Sequence, residues 1–106
     1  MSNIDLSQMI TAPQRSAAQA EDAAARIKAA CRRHILEVAD PLTQTNMAAA
    51  FAADQMGAQD LEAYRAFVDW TARMRQACRA QIRTRVPDVL EWPDLPLSAA
   101  DLIRRL

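Results

Sequence analysis

The chain has 106 residues and no formal net charge, because 13 basic side chains balance 13 acidic ones. This length predicts one domain, and the neutral charge argues against a nucleic-acid-binding protein. The chain contains a single glycine, which excludes glycine-rich phosphate loops and disfavours hairpin-rich β folds. Apolar residues make up 51% of the sequence, but many are alanines, which favour helix and bury little area. We therefore expect a thin core and a need for a partner.

The first ten residues form a short polar leader ahead of the predicted domain. They lack the basic start of a signal peptide, and the chain has no run of 18 apolar residues. We therefore expect no membrane association, and a location in a cytoplasm or wherever a cytoplasmic assembly goes. Two cysteines, Cys31 and Cys78, are too few and too far apart for a disulfide framework or a zinc site.

A long helix is predicted from Thr11, its capping residue, to about Ala39, with Pro13 in its first turn. The alanine half of its apolar line permits close helix approach, whereas the half from Ile27 provides the main packing surface. The alanine half is interpreted either as packing within one bundle or as a seam between copies of the chain. The apolar residues recur every three or four positions: Ala20, Ala24, Ile27, Cys31, Ile35 and Val38.

Two further helices follow. Asp40 and Pro41 are suited to the cap and first position of a short helix over 41–56, with Gly57 as its stop. A third helix is predicted over 59–85, with Trp70 beside its apolar stripe. That stripe contains Leu61, Tyr64, Phe67, Val68, Thr71, Met74, Cys78 and Ile82. The simplest packing is an antiparallel hairpin of the two long helices, bridged by the short one.

The segment VPDVLEWPDLPLS cannot continue as helix, because it contains three prolines. We call it the strap. It separates a helical domain over 11–86 from a C-terminal part over 87–106, which ends in a short helix begun by Ser98 with Asp101 at capping-box spacing. The apolar strap residues either cover the open edge of the helix hairpin or bind a neighbouring protein. These residues are Val89, Leu90, Trp92 and Leu95.

Catalytic chemistry is not indicated. His34 is the only histidine and has no carboxylate partner at a recognisable spacing, so it is interpreted as lying at the edge of the helix interface. Cys31 and Cys78 each fall on an apolar stripe and are predicted to be buried, unreactive thiols, although a bridge between them is conceivable. We expect no enzyme activity, no metal and no cofactor.

Arginines recur every four residues near the end of the third helix, at Arg75, Arg79 and Arg83. This arginine strip has two interpretations: contact with nucleic acid, or a solvated face that is either placed favourably near a helix C-terminus or paired with acidic residues of a neighbouring helix. The neutral total charge favours the second. The candidate acidic partners are Glu21, Asp22 and Glu37.

Several segments together resemble small helical tail proteins of bacteriophages and prophages, especially tail-fibre assembly chaperones and fibre-associated proteins. The segments are ITAPQRSAAQAEDAAARIKAACRRHI, VADPLTQTNMAAAFAADQMGAQDLEAYRAFVDW, ARMRQACRAQI and VPDVLEWPDLP, spanning roughly residues 10–97. The matching features are a polar stretch, a helix with aromatic residues and a Trp-Pro segment. They correspond to Thr43, Gln44 and Asn46, then Tyr64 and Trp70, then Trp92, Pro93 and Pro96.

The resemblance implies a non-enzymatic protein that acts in tail or tail-fibre structure or assembly, located in the virion tail or in the host cytoplasm. Tail or fibre proteins would be its partners, and self-association remains possible; no nucleic acid or membrane is implied. The chain lacks the N-terminal β domain of the assembly chaperones, so a structural role is favoured over a transient chaperone. A small bacterial regulatory or adaptor module is a further alternative. Candidate partner-binding residues are Ala20, Ala24, Ile27, Trp70, Leu90, Trp92 and Leu95.

Overall fold

The computed structural model describes residues 12–84 and 91–106, in which four helices and no strand occur. The helices are α1 (Ala12–Val38), α2 (Pro41–Ala52), α3 (Ala58–Thr84) and α4 (Leu97–Arg105). The predicted all-α class is therefore confirmed. Predictions about the leader, the Thr11 cap, Val89 and Leu90 lie outside the described residues.

The two long helices pack as the predicted antiparallel hairpin. The Cys31 thiol lies 3.7 Å from the carbonyl oxygen of Met74, and the His34 ring lies 6.0 Å from that of Trp70. Moving forward along α1 therefore means moving backward along α3. The core, to which all four helices contribute, is thin. Its buried members are Ile27, Cys31, Ala39, Met47, Ala63, Phe67, Trp70, Met74, Cys78, Ala99 and Leu102.

The turn between α1 and α2 follows the predicted cap. The N–H of Thr43 donates to the Asp40 carboxylate at 2.7 Å, and Pro41 takes the first helical position. The Gln44 amide donates to the carbonyl oxygen of Ala39 at 2.8 Å. This bond satisfies an acceptor that the end of α1 would otherwise leave unpaired.

The end of α2 differs from the prediction. The helix stops at Ala52 rather than near residue 56, and Asp54 takes a left-handed backbone conformation with φ of 55°. The N–H of Asp54 and the N–H that follows it donate back to the last turn of α2 at 3.1 and 2.9 Å. This is a Schellman motif with aspartate where glycine is common. Gly57, the predicted stop, has no positive φ, so that prediction was wrong.

The described part of the strap, from residue 91, and α4 return along α3 in the opposite direction. At one end the Trp70 indole N–H donates to the carbonyl oxygen of Pro93 at 2.9 Å. At the other end the guanidinium of Arg105 lies 2.7 Å from the Asp60 carboxylate. The C-terminal part therefore packs on the hairpin of its own chain, which was one of the two predicted arrangements.

The start of α4 corrects a second capping prediction. Pro96 stands at the cap position and makes no side-chain cap bond, so Ser98 lies inside the first turn rather than ahead of it. From there its hydroxyl is not in the cap position that the capping box requires. Asp101 instead forms an ion pair with Arg104. The basic last turn of Arg104 and Arg105 is as predicted.

The N-terminal part of α1 extends past the last described residue of α3, Thr84. Cys31 lies level with Met74, so at the same rise per residue Thr84 lies level with roughly residue 21 of α1. Residues 12–19 are exposed throughout, and the first fully buried position in α1 is Ile27. About ten residues, or ~15 Å of helix, therefore extend past the last described residue of α3. We call residues 12–22 the overhang.

Candidate functional site

The hairpin of α1 and α3 has two sides, and the strap covers one of them. On this side the Trp92 ring stacks on His34, with ring centres 6.0 Å apart and planes inclined by 17°. Trp70 is fully buried beneath the strap and reaches Pro93 through its N–H. The interpretation of His34 as an edge residue is therefore confirmed, and its aromatic partners are now identified.

Four of the predicted partner-binding residues face their own chain. Ile27 and Trp70 have no exposed surface, so neither reaches a partner in this fold. Trp92 and Leu95 are half-buried and pack against the hydrophobic core. Trp92 and Leu95 therefore use part of their apolar area within the chain, which is the first of the two arrangements predicted for the strap.

The two predicted alanines lie at or just beyond the edge of the packed hairpin. Ala20 and Ala24 are half-buried, and no residue before Ile27 is buried in the described part of α1. Packing within one bundle, the favoured interpretation of the alanine line, therefore holds only from Ile27 onward. Ala20 and Ala24 retain surface that another molecule can contact.

The opposite side of the hairpin carries an open groove that the sequence reasoning did not predict as a unit. Arg32 lies about 200° around α1 from His34, and Arg79 lies about 180° around α3 from Trp70, so this side faces away from the strap. The groove encloses about 660 Å³. We call it the cationic groove; its lining residues are Lys28, Cys31, Arg32, Ile35, Leu36, Gln44, Arg75, Cys78, Arg79 and Ile82.

The floor of the cationic groove is apolar and its walls are basic. Lys28 and Arg32 stand on α1, Arg75 and Arg79 stand on α3, and none of the acidic side chains in residues 12–84 and 91–106 lines the groove. Among the described residues, none of these four cations takes part in an ion pair. The groove therefore concentrates positive charge in a chain whose formal net charge is zero.

The expected acidic partners of the arginine strip do not pair with it. Asp22 instead forms an ion pair with Arg26 of its own helix at 2.7 Å. Within residues 12–84 and 91–106, neither Glu21 nor Glu37 has an ion-pair partner. The strip is therefore not neutralised across the hairpin, which corrects that part of the interpretation.

Both cysteines are buried, free and adjacent in the floor of the groove. Burial raises the pKa of the Cys31 thiol above its ordinary value of 9.0, and the neighbouring Cys78 thiol raises it further. Cys31 is therefore protonated at neutral pH, which makes it a poor nucleophile. The predicted burial is confirmed, and the two apolar stripes do bring these residues together.

A second depression, between α3 and α4, is polar and its charges are partly balanced. It encloses about 590 Å³ and contains the Arg105–Asp60 ion pair, which raises the pKa of the Arg105 guanidinium. In the described part of the chain, no three His, Cys, Asp or Glu side chains are grouped closely enough to hold a metal ion. None of the described helices is long and apolar enough to cross a bilayer.

The sequence did not predict Lys28 and Arg32 as part of a basic groove, because the pattern of α1 alone does not show which residues of α3 they face. Their spacing of four residues matches that of Arg75 and Arg79, and this repeat was the available signal. Only the antiparallel register places the two pairs on opposite walls of one groove. Comparison of the chain with protein-family models, curated proteins and solved structures gives no match.

Proposed function

We propose that this chain is a non-enzymatic, tail-associated protein of a bacteriophage or prophage that acts in tail or tail-fibre structure or assembly. The setting comes from the resemblance of its helical segments to small phage tail proteins. The mode of action is helix packing onto other proteins. Trp92 and Leu95 of the strap pack on the chain's own hairpin, which is compatible with this role.

The overhang is the observation that carries an assembly role. It is helical although none of its residues is buried. Most helical stability in proteins comes from packing of an apolar face, so a helix that continues past its neighbour has surface to offer. Ala20 of the overhang and Ala24, just beyond it, lie on one face of α1 and permit close approach of a second helix.

Paired substitutions test this role. Ala20→Glu with Ala24→Glu should abolish co-assembly with tail proteins while leaving the free energy of unfolding nearly unchanged, because both residues lie outside the buried core. The matched control is Ala18→Glu with Ala25→Glu, which places the same charges on the opposite face of α1. Equal assembly by both double variants, measured by co-purification of tail complexes, would remove the overhang from the proposal.

The phage setting has a separate test. Mass spectrometry of purified virions should find the chain at a fixed stoichiometry if it is a structural component. Presence in assembly intermediates and absence from virions would assign the transient chaperone role instead. A gene that lies outside any cluster of tail genes would overturn the phage setting and favour the regulatory or adaptor alternative.

A further inference from the structure

We propose that the cationic groove binds an amphipathic helix of a partner protein, one with an apolar stripe flanked by acidic side chains. This inference deepens the proposed assembly function by naming the surface and the chemistry of the partner. It rests on that function only in taking the partner to be a protein. The groove itself is defined by the described residues of α1, α2 and α3.

The shape and polarity of the groove fit a third helix. Two antiparallel helices form its walls, and its floor is apolar through Cys31, Ile35, Cys78 and Ile82. An amphipathic helix lying between them would bury its apolar stripe on this floor. The strap and α4 already cover the other side of the hairpin, so a helix in the groove would complete a second layer of packing.

The spacing of the four cations favours a helix, rather than a compact anion, as the ligand of the groove. Lys28 and Arg32 are one turn apart on α1, and Arg75 and Arg79 are one turn apart on α3. Side chains four residues apart on a helix lie about 6 Å from each other. Side chains of a partner helix recur at the same interval. Acidic residues on one flank of that helix can therefore meet the two cations of α1, and those on the other flank can meet the two cations of α3.

Two other anionic partners fit less well. The groove contains no aromatic side chain on which a nucleic-acid base could stack, and the chain has no net positive charge. Its cations also stand along two walls instead of converging on one point, as a single lipid headgroup would require. Nucleic acid and anionic lipid are therefore alternative outcomes of the test.

The two thiols give a measure of occupancy, because they are buried in the groove floor and their slow alkylation requires exposure of that floor, which a bound helix would prevent. Cys31 and Cys78 are the only cysteines of the chain and both line the groove. The probe is a synthetic amphipathic helix of about three heptads with leucine at its apolar positions and glutamate at the flanking positions. At about ten times its dissociation constant, it should slow thiol alkylation of the native full chain about tenfold.

Charge variants identify the binding surface. Arg75→Glu with Arg79→Glu should weaken the peptide about tenfold or more, whereas Arg75→Lys with Arg79→Lys should retain most of the affinity. All these positions are exposed, and circular dichroism checks that each variant folds. The matched control, Arg33→Glu with Arg104→Glu, makes the same change in net charge at exposed positions outside the groove and should bind as the parent does.

Four outcomes would overturn the proposal. One is equal protection by a peptide whose flanking glutamates are replaced with lysines. Another is protection by phosphatidylglycerol vesicles or by a single-stranded oligonucleotide when the glutamate peptide gives none. A third is protection that rises with protein concentration alone, which would assign the groove to a second copy. Faster alkylation of a variant lacking residues 1–10 would assign it to the chain's own leader. This assay does not depend on virion composition. The groove proposal and the proposed tail function can therefore fail independently of each other.

Discussion

Asp54 and Asp40 show how single residues set the two ends of α2. Asp40 receives the N–H of Thr43 and starts the helix, whereas Asp54 takes the left-handed conformation that ends it. The first role suits aspartate well, because a short acceptor at a helix start satisfies an unpaired donor. The second role suits glycine better, because a Cβ is strained at positive φ.

Replacing Asp54 with glycine should therefore stabilise the protein. The free energy of unfolding is expected to rise by about 0.5–1 kcal/mol, because glycine has no Cβ to strain in the left-handed region. Urea denaturation measures the change. Gly57→Ala tests the other position, where glycine is not required. A Cβ there meets nothing within 4 Å, so this variant should also be stabilised, by about 0.4–1 kcal/mol. Strong destabilisation of Gly57→Ala would restore Gly57 as the required stop.

The Asp40 cap should make stability depend on pH. The hydrogen bond from the Thr43 N–H lowers the pKa of Asp40 below its ordinary value of 3.8. A carboxyl group with a lowered folded pKa stabilises fully above its unfolded pKa and loses that contribution as pH falls through the folded value. Asp40→Ala should lower the urea midpoint at pH 7, and the difference from the parent should shrink below pH 3.8.

Asparagine at position 40 supplies the control. Its amide oxygen accepts the same bond without titrating, so Asp40→Asn should keep most of the midpoint at both pH values. An Asp40→Ala deficit that persists unchanged at low pH would show that the carboxylate bond is not its source.

At the scale of elements, the strap is part of the folded core. Trp92 stacks on His34 and packs against the core cluster. Trp92→Ala should lower the free energy of unfolding by about 1.5–3 kcal/mol, less than for a fully buried tryptophan because the ring is half-exposed. Chemical denaturation measures the loss. Leu97→Ala removes an apolar side chain that is 83% exposed and should change stability by less than about 0.5 kcal/mol.

The overhang should behave as a helix that unfolds locally. Ala18→Gly is expected to reduce helicity, seen by circular dichroism, without shifting the global unfolding midpoint, because residues 12–19 are exposed. Ala63→Gly in α3 is the matched change at a buried position and should lower global stability by about 1–2 kcal/mol. Equal shifts of the midpoint would mean that the overhang unfolds with the core.

At the scale of the whole molecule, stability should be graded along the long axis of the hairpin. Amide hydrogen exchange is expected to be slowest around Ile27–Val38 and Ala63–Cys78, where the buried residues lie. It should be fastest in the overhang, and intermediate in α4, which has only Ala99 and Leu102 buried. Strong protection of residues 12–22 in a dilute monomer would contradict the expectation that the overhang unfolds locally.

The two sides of the hairpin also differ in the side chains they carry. The aromatic side is closed by the strap, and the opposite side presents cations over an apolar floor. A chain with zero net charge can therefore hold a strongly basic surface, because none of the acidic side chains that the structure describes lines the groove. This arrangement favours selective recognition of a complementary protein surface over general attraction to polyanions.

The sequence by itself determined the elements of this protein. Apolar residues at helical spacing, the Asp40-Pro41 break and the proline-containing strap specify four helices, because these signals act within a few residues of the chain. The end of α2 near Asp54 and the start of α4 after Pro96 were not predicted, because several neighbouring residues could each have ended or started the helix. Tertiary structure alone decided that Trp92 meets His34 and that Lys28, Arg32, Arg75 and Arg79 share one groove. Those contacts join residues far apart in sequence, so they follow from the register of α1 against α3, which no local pattern encodes.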